Sequence, residues 1–365
     1  MEHQSELKAQ NPFTIGIIQD AASPDRAENL ERTGRLVREA ASRGAQIVCL
    51  KELFQSPYFC KSQQIDRFNL ADSIPGPTTD VMQKLARELA IVLVVPIFER
   101  QTAGIYRNSA AVIDADGSLL GVYRKMHIPD DPLYHEKYYF TPGDAQAGEA
   151  GAGVERGFRV WRTRYATIGV LICWDQWYPE AARITALLGA QVLFYPTAIG
   201  WHPAEKSEWG EAQVEAWRTI QRAHAIANGI YVASPNRIGH EDEPGTNGIT
   251  FFGHSFIADP FGRFVAEAGE GEQGLVARCD PALMETGRRN LPVLRDRRSA
   301  GVSGRGEERR DERTLLDLPA QRVLAATAAD DEDSHGRDPS PRYAPAPRKP
   351  VRPRFPTFDS TRTGA

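Results

Sequence analysis

Short apolar runs alternate with amphipathic stretches along most of this chain, in the rhythm of strand and helix. Residues 13–18 make an apolar strand candidate, and Ser23-Pro24 then offers an N-cap followed by proline at the first helical position. The helix predicted there runs through Leu30, Val37 and Ala40 to Arg43, with Gly44 placed to end it, before a second apolar run, Ile47-Val48-Cys49-Leu50. The rhythm recurs as a helix over 78–90, a buried strand over 91–98, and a hairpin whose arms, 110–113 and 119–123, flank Asp116-Gly117. Further on lie a strand over 166–172, a helix over 179–188 closed by Gly189, a strand over 192–195, a long helix over about 208–228, and a strand over 230–234. Strands and helices mixed in this order predict an α/β protein with layered sheets and helices outside. Pattern alone leaves a doubly wound and a four-layer arrangement both open.

Two stretches break the texture. Residues 145–157 are rich in Gly and Ala with little apolar content and read as a surface loop. From 299 to 365 the chain is rich in Arg, Pro, Ala and Asp with few large apolar residues, and disorder is expected there. The predicted organisation is therefore one domain over 11–298 and a low-complexity tail over 299–365. Asp311, Glu312, Asp330, Asp331 and Asp333 interrupt the tail's arginines, so it makes a poor nucleic-acid arm.

Composition narrows the partners. A hydrophobic share of 41% can bury a substantial core, while a formal net charge of -4 gives no electrostatic reason to expect nucleic acid or an anionic membrane. Small molecules are left as the expected partners. Cys49, Cys60, Cys173 and Cys279 are scattered without C-x-x-C spacing, which fits neither a zinc site nor a disulfide framework and suits a reducing cytoplasm. No apolar run approaches the roughly 18 residues of a membrane span, so neither export nor membrane insertion is expected.

Three polar residues at the ends of apolar strands carry the candidate chemistry. Cys173 follows Ile168-Gly169-Val170-Leu171-Ile172 and precedes a proline-started helix; such a turn can hold a nucleophile bent and exposed, with the next N–H aimed at an oxyanion. A cysteine at a strand end is also readily one more buried core residue. A nucleophilic thiol needs a base, because the unperturbed pKa is about 8.5 and the thiolate is the species that attacks. His127, His135, His202, His224, His240 and His254 lack the context of a cysteine–histidine pair. Glu52, just past the strand ending at Leu50, is the carboxylate alternative, and Lys125 ends the strand over 120–124. Taken singly, Glu52 fits an exposed loop entry and Lys125 a solvated charge.

The segments around these residues resemble, in order, the three signature motifs of the carbon–nitrogen hydrolase (nitrilase) superfamily. They are Leu50-Lys51-Glu52-Leu53-Phe54, Tyr123-Arg124-Lys125-Met126-His127-Ile128-Pro129, and Leu171-Ile172-Cys173-Trp174-Asp175-Gln176-Trp177-Tyr178-Pro179-Glu180. Phe140-Thr141-Pro142-Gly143-Asp144, Tyr195-Pro196-Thr197-Ala198-Ile199-Gly200 and the stretch over 221–229 extend the likeness, which runs from about Phe13 to Arg298. The resemblance implies a four-layer αββα sandwich and an amidohydrolase without metal or cofactor. It implies Cys173 as nucleophile, Glu52 as general base and Lys125 as the charged stabiliser of a tetrahedral intermediate, with the N–H of Trp174 completing the oxyanion hole. Glu136 matches a supporting carboxylate, and Tyr58, Tyr134, Trp174, Ala198 and His202 match the substrate pocket. The implied substrate is a small N-carbamoyl amine, an N-carbamoyl amino acid being the alternative within the family, and a catalytically weak scaffold the alternative outside it. A cytoplasmic homo-oligomer built on dimers is implied as well.

Departures from the family pattern carry expectations of their own. Lys51 stands where the family usually has proline, which is expected to loosen Glu52 and to place a charge beside it. Pro235 precedes Asn236-Arg237 and removes a backbone donor at a strand end. After Arg298 the chain turns abruptly to low-complexity sequence, as a frameshift would produce, which puts assembly in doubt. For an ammonium-tailed substrate, Glu205 and Glu208 are candidate partners, with a helix-start role the alternative.

Overall fold

The computed structural model describes residues 11–143 and 157–298. The expected loop, apart from Gly157 at its end, and the expected tail over 299–365 lie outside the described residues.

The first half of the chain builds β1 (Phe13–Gln19), α1 (Arg26–Ser42), β2 (Ile47–Cys49), α2 (Pro77–Leu89), β3 (Val92–Thr102), β4 (Ile105–Ile113) and β5 (Leu119–Arg124). A short helix, α3 (Glu136–Tyr139), leads on to β6 (Val160–Arg162), β7 (Thr167–Val170), α4 (Pro179–Leu187), β8 (Val192–Phe194) and β9 (Gly200–Trp201). Then come α5 (Lys206–Asn228), β10 (Tyr231–Ser234), β11 (Ile238–Glu241), β12 (Ile249–Phe252), β13 (Phe256–Ala258), β14 (Phe264–Glu267), β15 (Gln273–Cys279) and α6 (Pro281–Asn290).

Two six-stranded sheets result, ordered β15-β1-β2-β3-β4-β5 and β14-β13-β10-β8-β7-β6, with β11-β12-β9 as a small third sheet. Each large sheet has three parallel strands at its centre, β1-β2-β3 in one and β7-β8-β10 in the other, bounded by antiparallel strands. Side-chain alternation explains the layering. Ile47, Cys49, Val92 and Val94 join Ile168, Val170, Val192 and Phe194 in one core between the sheets. Their neighbours Val48, Leu50, Leu93 and Val95 point the other way, against Leu36, Val37, Met82 and Leu85 of α1 and α2. On the second sheet α4 packs against β8 and α5 against β10. The architecture is the αββα sandwich, with α1 and α2 on one outside and α4 and α5 on the other.

The helix signals need one correction. Asp25, not Ser23, caps α1: its carboxylate accepts the N–H groups of Ala27 and Glu28, while Ser23 uses its hydroxyl to accept the N–H of Asp25. The carboxylate favours the helix N-terminus more strongly than a hydroxyl does. β3 also runs past residue 98 to Thr102 and turns directly into β4, a hairpin the apolar pattern does not reveal because its outer end is exposed.

Candidate active site

Glu52 lies three residues beyond β2, in a loop that is buried although it carries polar groups. Leu50 still donates to the Val94 carbonyl at 3.1 Å, as an extra rung of the ladder. The chain then turns sharply, with Leu53 in the left-handed region at φ 49°. Fully buried Arg237 holds that turn: Nη2 donates to the carbonyls of Glu52 at 3.1 Å and Leu53 at 2.9 Å, and Nη1 to that of Ser56 at 2.9 Å. The arginine is itself paired with Glu241 at 2.7 Å. Lys51, expected to loosen Glu52, is itself tied down. Its side chain is fully buried, and its ammonium pairs with Asp20 and donates to the Ala21 carbonyl at 3.1 Å.

Lys125 directly follows β5. Its N–H donates to the Asn108 carbonyl on β4 at 2.8 Å, and its own carbonyl accepts from Gly143 at 2.8 Å. A Cβ at Gly143 would run into the Arg124 carbonyl, so this close approach requires glycine. The Lys125 ammonium donates to Glu52 Oε1 at 2.9 Å and to Glu136 Oε2 at 2.6 Å. Glu136, the first residue of α3, accepts the Tyr58 hydroxyl on its other oxygen at 2.7 Å. Asn108 donates to Glu52 Oε1 at 2.7 Å, so that oxygen has two donors, while Oε2 is buried with no hydrogen-bond partner among the described residues. The geometry distinguishes a held oxygen from an available one.

Cys173 comes from the opposite sheet, three residues beyond β7. Its backbone is left-handed, φ 43°, and its N–H donates to the Pro196 carbonyl at 3.0 Å. A non-glycine residue in this region costs of order 1–3 kcal/mol and persists where the surroundings enforce it. Asp175 is the enforcer. Its Oδ2 accepts the Ile172 N–H at 2.9 Å and the Tyr123 hydroxyl at 2.7 Å. Its Oδ1 accepts the His127 N–H at 3.0 Å and meets His127 Nδ1 at 2.7 Å. Tyr123 and His127 flank Lys125, so one carboxylate fastens the cysteine turn to the lysine segment across the two sheets. The His127 ring stacks on Tyr178 with centroids 3.6 Å apart.

Electrostatics decide the resting charges. Burial would lower the Lys125 ammonium, but Glu136 and Glu52 outweigh it and hold it well above its ordinary value. For Cys173, burial and then the Glu52 charge push the thiol up, and Lys125 only partly offsets them. Cys173 is therefore held as a thiol at rest, and a base must take its proton during attack. Burial, opposed by Lys125 and reinforced by Glu52, raises Glu136 to about 7.

Of the pocket residues read from sequence, Tyr58 and Tyr134 lie together, ring centroids 5.5 Å apart, and Tyr134 bridges to the Gly200 backbone at 3.1 and 3.2 Å. Ala198 is buried, and its backbone interacts with the Cys173 thiol. Trp174 is half-buried against the edge of Trp177. His202 is not drawn in: its carbonyl accepts the N–H of Glu205 at the start of α5, and no contact ties its ring to Glu52, Lys125 or Cys173. Glu205 and Glu208 stand at the first turn of α5, in keeping with the helix-start alternative. Pro235 places its carbonyl on the N–H of Thr197 at 2.9 Å, and Asn236 bonds both the N–H and the carbonyl of Ile199 at 3.0 Å. The sequence reading missed Asn108, Asp175 and Arg237 as working residues. For Asn108 the available signal was polarity at the head of an apolar run, over 108–113; Arg237, among Pro235, Asn236 and Gly239, had none. Among the described residues no group of three or more His, Cys, Asp or Glu could hold a metal ion, and no helix is long and apolar enough to cross a membrane.

Comparison with known proteins places this site in context. The family model described as carbon–nitrogen hydrolase matches residues 14–289. The chain is 47% identical over 290 residues to a protein of Solanum lycopersicum named N-carbamoylputrescine amidase, covering 78% of this chain and 92% of that one. It is 42% identical over 286 residues to a Francisella tularensis protein named citrullinase, covering 78% and 94% respectively. Among solved structures, a carbon–nitrogen hydrolase from Helicobacter pylori G27 superposes with a TM-score of 0.74 at 42% identity, covering 79% of this chain and 96% of that one.

Proposed function

The chain belongs to the carbon–nitrogen hydrolase family, and from that premise we propose that it hydrolyses the ureido group of N-carbamoylputrescine to putrescine, carbon dioxide and ammonia. The observation that carries the reading is the buried cluster in which one ammonium, Lys125, bridges Glu52 and Glu136 within electrostatic reach of the Cys173 thiol. The proposed domain for this chemistry spans 11–298.

In the proposed cycle Glu52 takes the thiol proton on its unpartnered Oε2 as the sulfur attacks the ureido carbonyl carbon. Lys125 and the N–H of Trp174 stabilise the oxyanion that forms. Glu52 returns the proton to the terminal nitrogen, the carbon–nitrogen bond breaks, and ammonia leaves a carbamoyl thioester on Cys173. Water, deprotonated by Glu52, then attacks that carbonyl; the sulfur departs and regains its proton, and the released carbamic acid decomposes to amine and carbon dioxide. Glu136 keeps the lysine oriented, with Tyr58, Tyr134, Trp174 and Ala198 as pocket walls.

The relative named citrullinase favours a second reading, a ureido amino acid as substrate. Ammonia release from N-carbamoylputrescine and from citrulline, measured side by side, tests both. The first reading expects kcat/KM to favour N-carbamoylputrescine by at least about 100-fold, since citrulline brings an additional α-carboxylate that a pocket shaped for a bare ammonium end must desolvate without a partner. Preference for citrulline overturns it. We further propose a cytoplasmic homo-oligomer acting in polyamine synthesis. Four free cysteines support the compartment, and exposed Leu187, Trp209 and Ile226 on α4 and α5 support the assembly. Sedimentation of the full chain as a monomer would contradict the assembly.

A further inference from the structure

Lys51 and Asp20 form a buried ion pair that the proposed cycle does not use. Lys51 is fully buried and Asp20 is 1% exposed. Such a pair is expensive to desolvate, and replacing both partners by apolar residues is often neutral for stability. This one is placed still less favourably: burial pulls the Lys51 ammonium down to about 8, Asp20 opposes the drop, and Arg237 and Arg32 add to it. Simple stability is therefore a weak reason for the pair to exist.

Its geometry offers a stronger one. Asp20 and Ala21 directly follow β1, and that segment is itself fixed. The Asp20 carbonyl accepts the N–H of Ile238 at 3.3 Å, and the Ala21 carbonyl accepts Arg32 Nη1 from α1 at 2.9 Å. Lys51 fastens the residue immediately before Glu52 to this fixed point. Arg237 fastens the carbonyls of Glu52 and Leu53 immediately after. Glu52 thus sits between two buried cations, each tied to a different part of the fold, in a loop whose next residue is left-handed. The side chain of Asn29 adds a third tie, to the Gln55 carbonyl at 2.9 Å. Without the Lys51 tie, the backbone just before Glu52 would keep, among the described residues, the Leu50 rung to Val94 and the Cys49 thiol's bond to the Leu50 carbonyl at 3.4 Å.

We infer that Lys51 and Asp20 are a positioning pair that holds the backbone of Glu52 at the reacting centre. The inference rests on the reading of Glu52 as general base. Neither residue touches substrate; both act through the peptide that carries the base.

The test compares wild type with Lys51→Met, the double variant Asp20→Leu/Lys51→Met, and Glu52→Gln. The readouts are thermal unfolding, kcat and KM for ammonia release, and the rate at which iodoacetamide alkylates Cys173, which reports base assistance without any substrate. Lys51→Met strands a buried carboxylate and is expected to melt well below wild type, whereas the double variant leaves no unpaired charge and is expected to melt near it. A positioning role predicts that the stable double variant still loses kcat by ~10-fold or more, with KM within about twofold and alkylation slowed in parallel. A double variant that is as stable as wild type and retains its kcat overturns the inference, as does a loss confined to KM. Glu52→Gln separates the two claims. If it retains turnover, the reading of Glu52 as base has failed; if it is inactive while the double variant works normally, only the positioning pair has.

Discussion

The loop that carries Glu52 and the turn that carries Cys173 stand at the ends of β2 and β7, in facing sheets, and each contains one left-handed residue, Leu53 at φ 49° and Cys173 at φ 43°. Opposite chemistry restrains them. Around Glu52, the buried cation Arg237 reaches the carbonyls of Glu52 and Leu53, while Lys51 reaches out of the loop to the carbonyl of Ala21 beyond β1. Around Cys173, one buried carboxylate reaches backbone N–H groups, those of Ile172 and His127. The strain also sits differently. It falls on the nucleophile itself in one case, where it aims the sulfur, and on the residue after the base in the other, where it turns the chain away and leaves the Glu52 side chain inside. Arg237 and Asp175 each have the sign that the buried backbone dipoles of their turn call for, and neither needs to touch a substrate.

Changes to the reacting atoms break this comparison most severely. Cys173→Ser, Lys125→Ala and Glu52→Gln are each expected to lower kcat by roughly 10³-fold or more while leaving the fold intact by circular dichroism, because the three act as one unit. Next comes release of the cysteine turn. Asp175→Ala leaves two backbone N–H groups and the Tyr123 hydroxyl without their acceptor, and is expected to cost about 3–5 kcal/mol in urea unfolding and ~100-fold in kcat. Arg237→Met releases the base loop and leaves Glu241 with Lys61 and the Tyr58 N–H, for an expected 2–3 kcal/mol, roughly that of lost charged hydrogen bonds. Equal losses in the two variants would show that the single carboxylate is no more critical than the paired arginine.

Glu136 sharpens the electrostatic side. Its folded pKa, about 7, lies above the ordinary 4.5, so the folded state binds its proton more tightly than the unfolded state does. Its contribution to stability is present in full below about 4.5 and is lost as pH rises through about 7. The stability of wild type relative to Glu136→Gln is therefore expected to fall between pH 5 and about 7.5, read as a shrinking difference in unfolding midpoint. A flat difference contradicts the assignment. The smallest effect is expected from Tyr134→Phe, which removes only the bridge to Gly200 and should change stability by no more than about 1 kcal/mol.

Much of the fold was legible in the sequence, because the parallel strands are buried on both faces and read as continuous apolar runs: 47–50, 91–98 and 192–195 are examples. The small sheet of β9, β11 and β12 was not, since a two-residue strand such as Gly200–Trp201 has no periodicity to detect. Glu52, Lys125 and Cys173 were singled out through motif resemblance beside recognisable strand ends, and Glu136 through its own motif at the start of α3; their catalytic roles are proposals. Asn108, Asp175 and Arg237 went unassigned because their work is done on backbone groups or on other site residues, and no local pattern encodes a contact such as Arg237 to Glu52, 185 residues apart. The pairing of Lys51 went unseen for the same reason: its partner Asp20 lies 31 residues earlier, at the end of a strand that only the folded sheet brings alongside.

The account depends most on Cys173 forming the covalent intermediate. The direct measurement is peptide-level mass spectrometry of the wild-type enzyme, acid-quenched during turnover of N-carbamoylputrescine. The expected result is a carbamoyl adduct carrying the putrescine portion on the Cys173 peptide, absent from Cys173→Ala, which makes no product. An adduct on buried Cys60 in place of Cys173, or product formation by Cys173→Ala, would contradict the account.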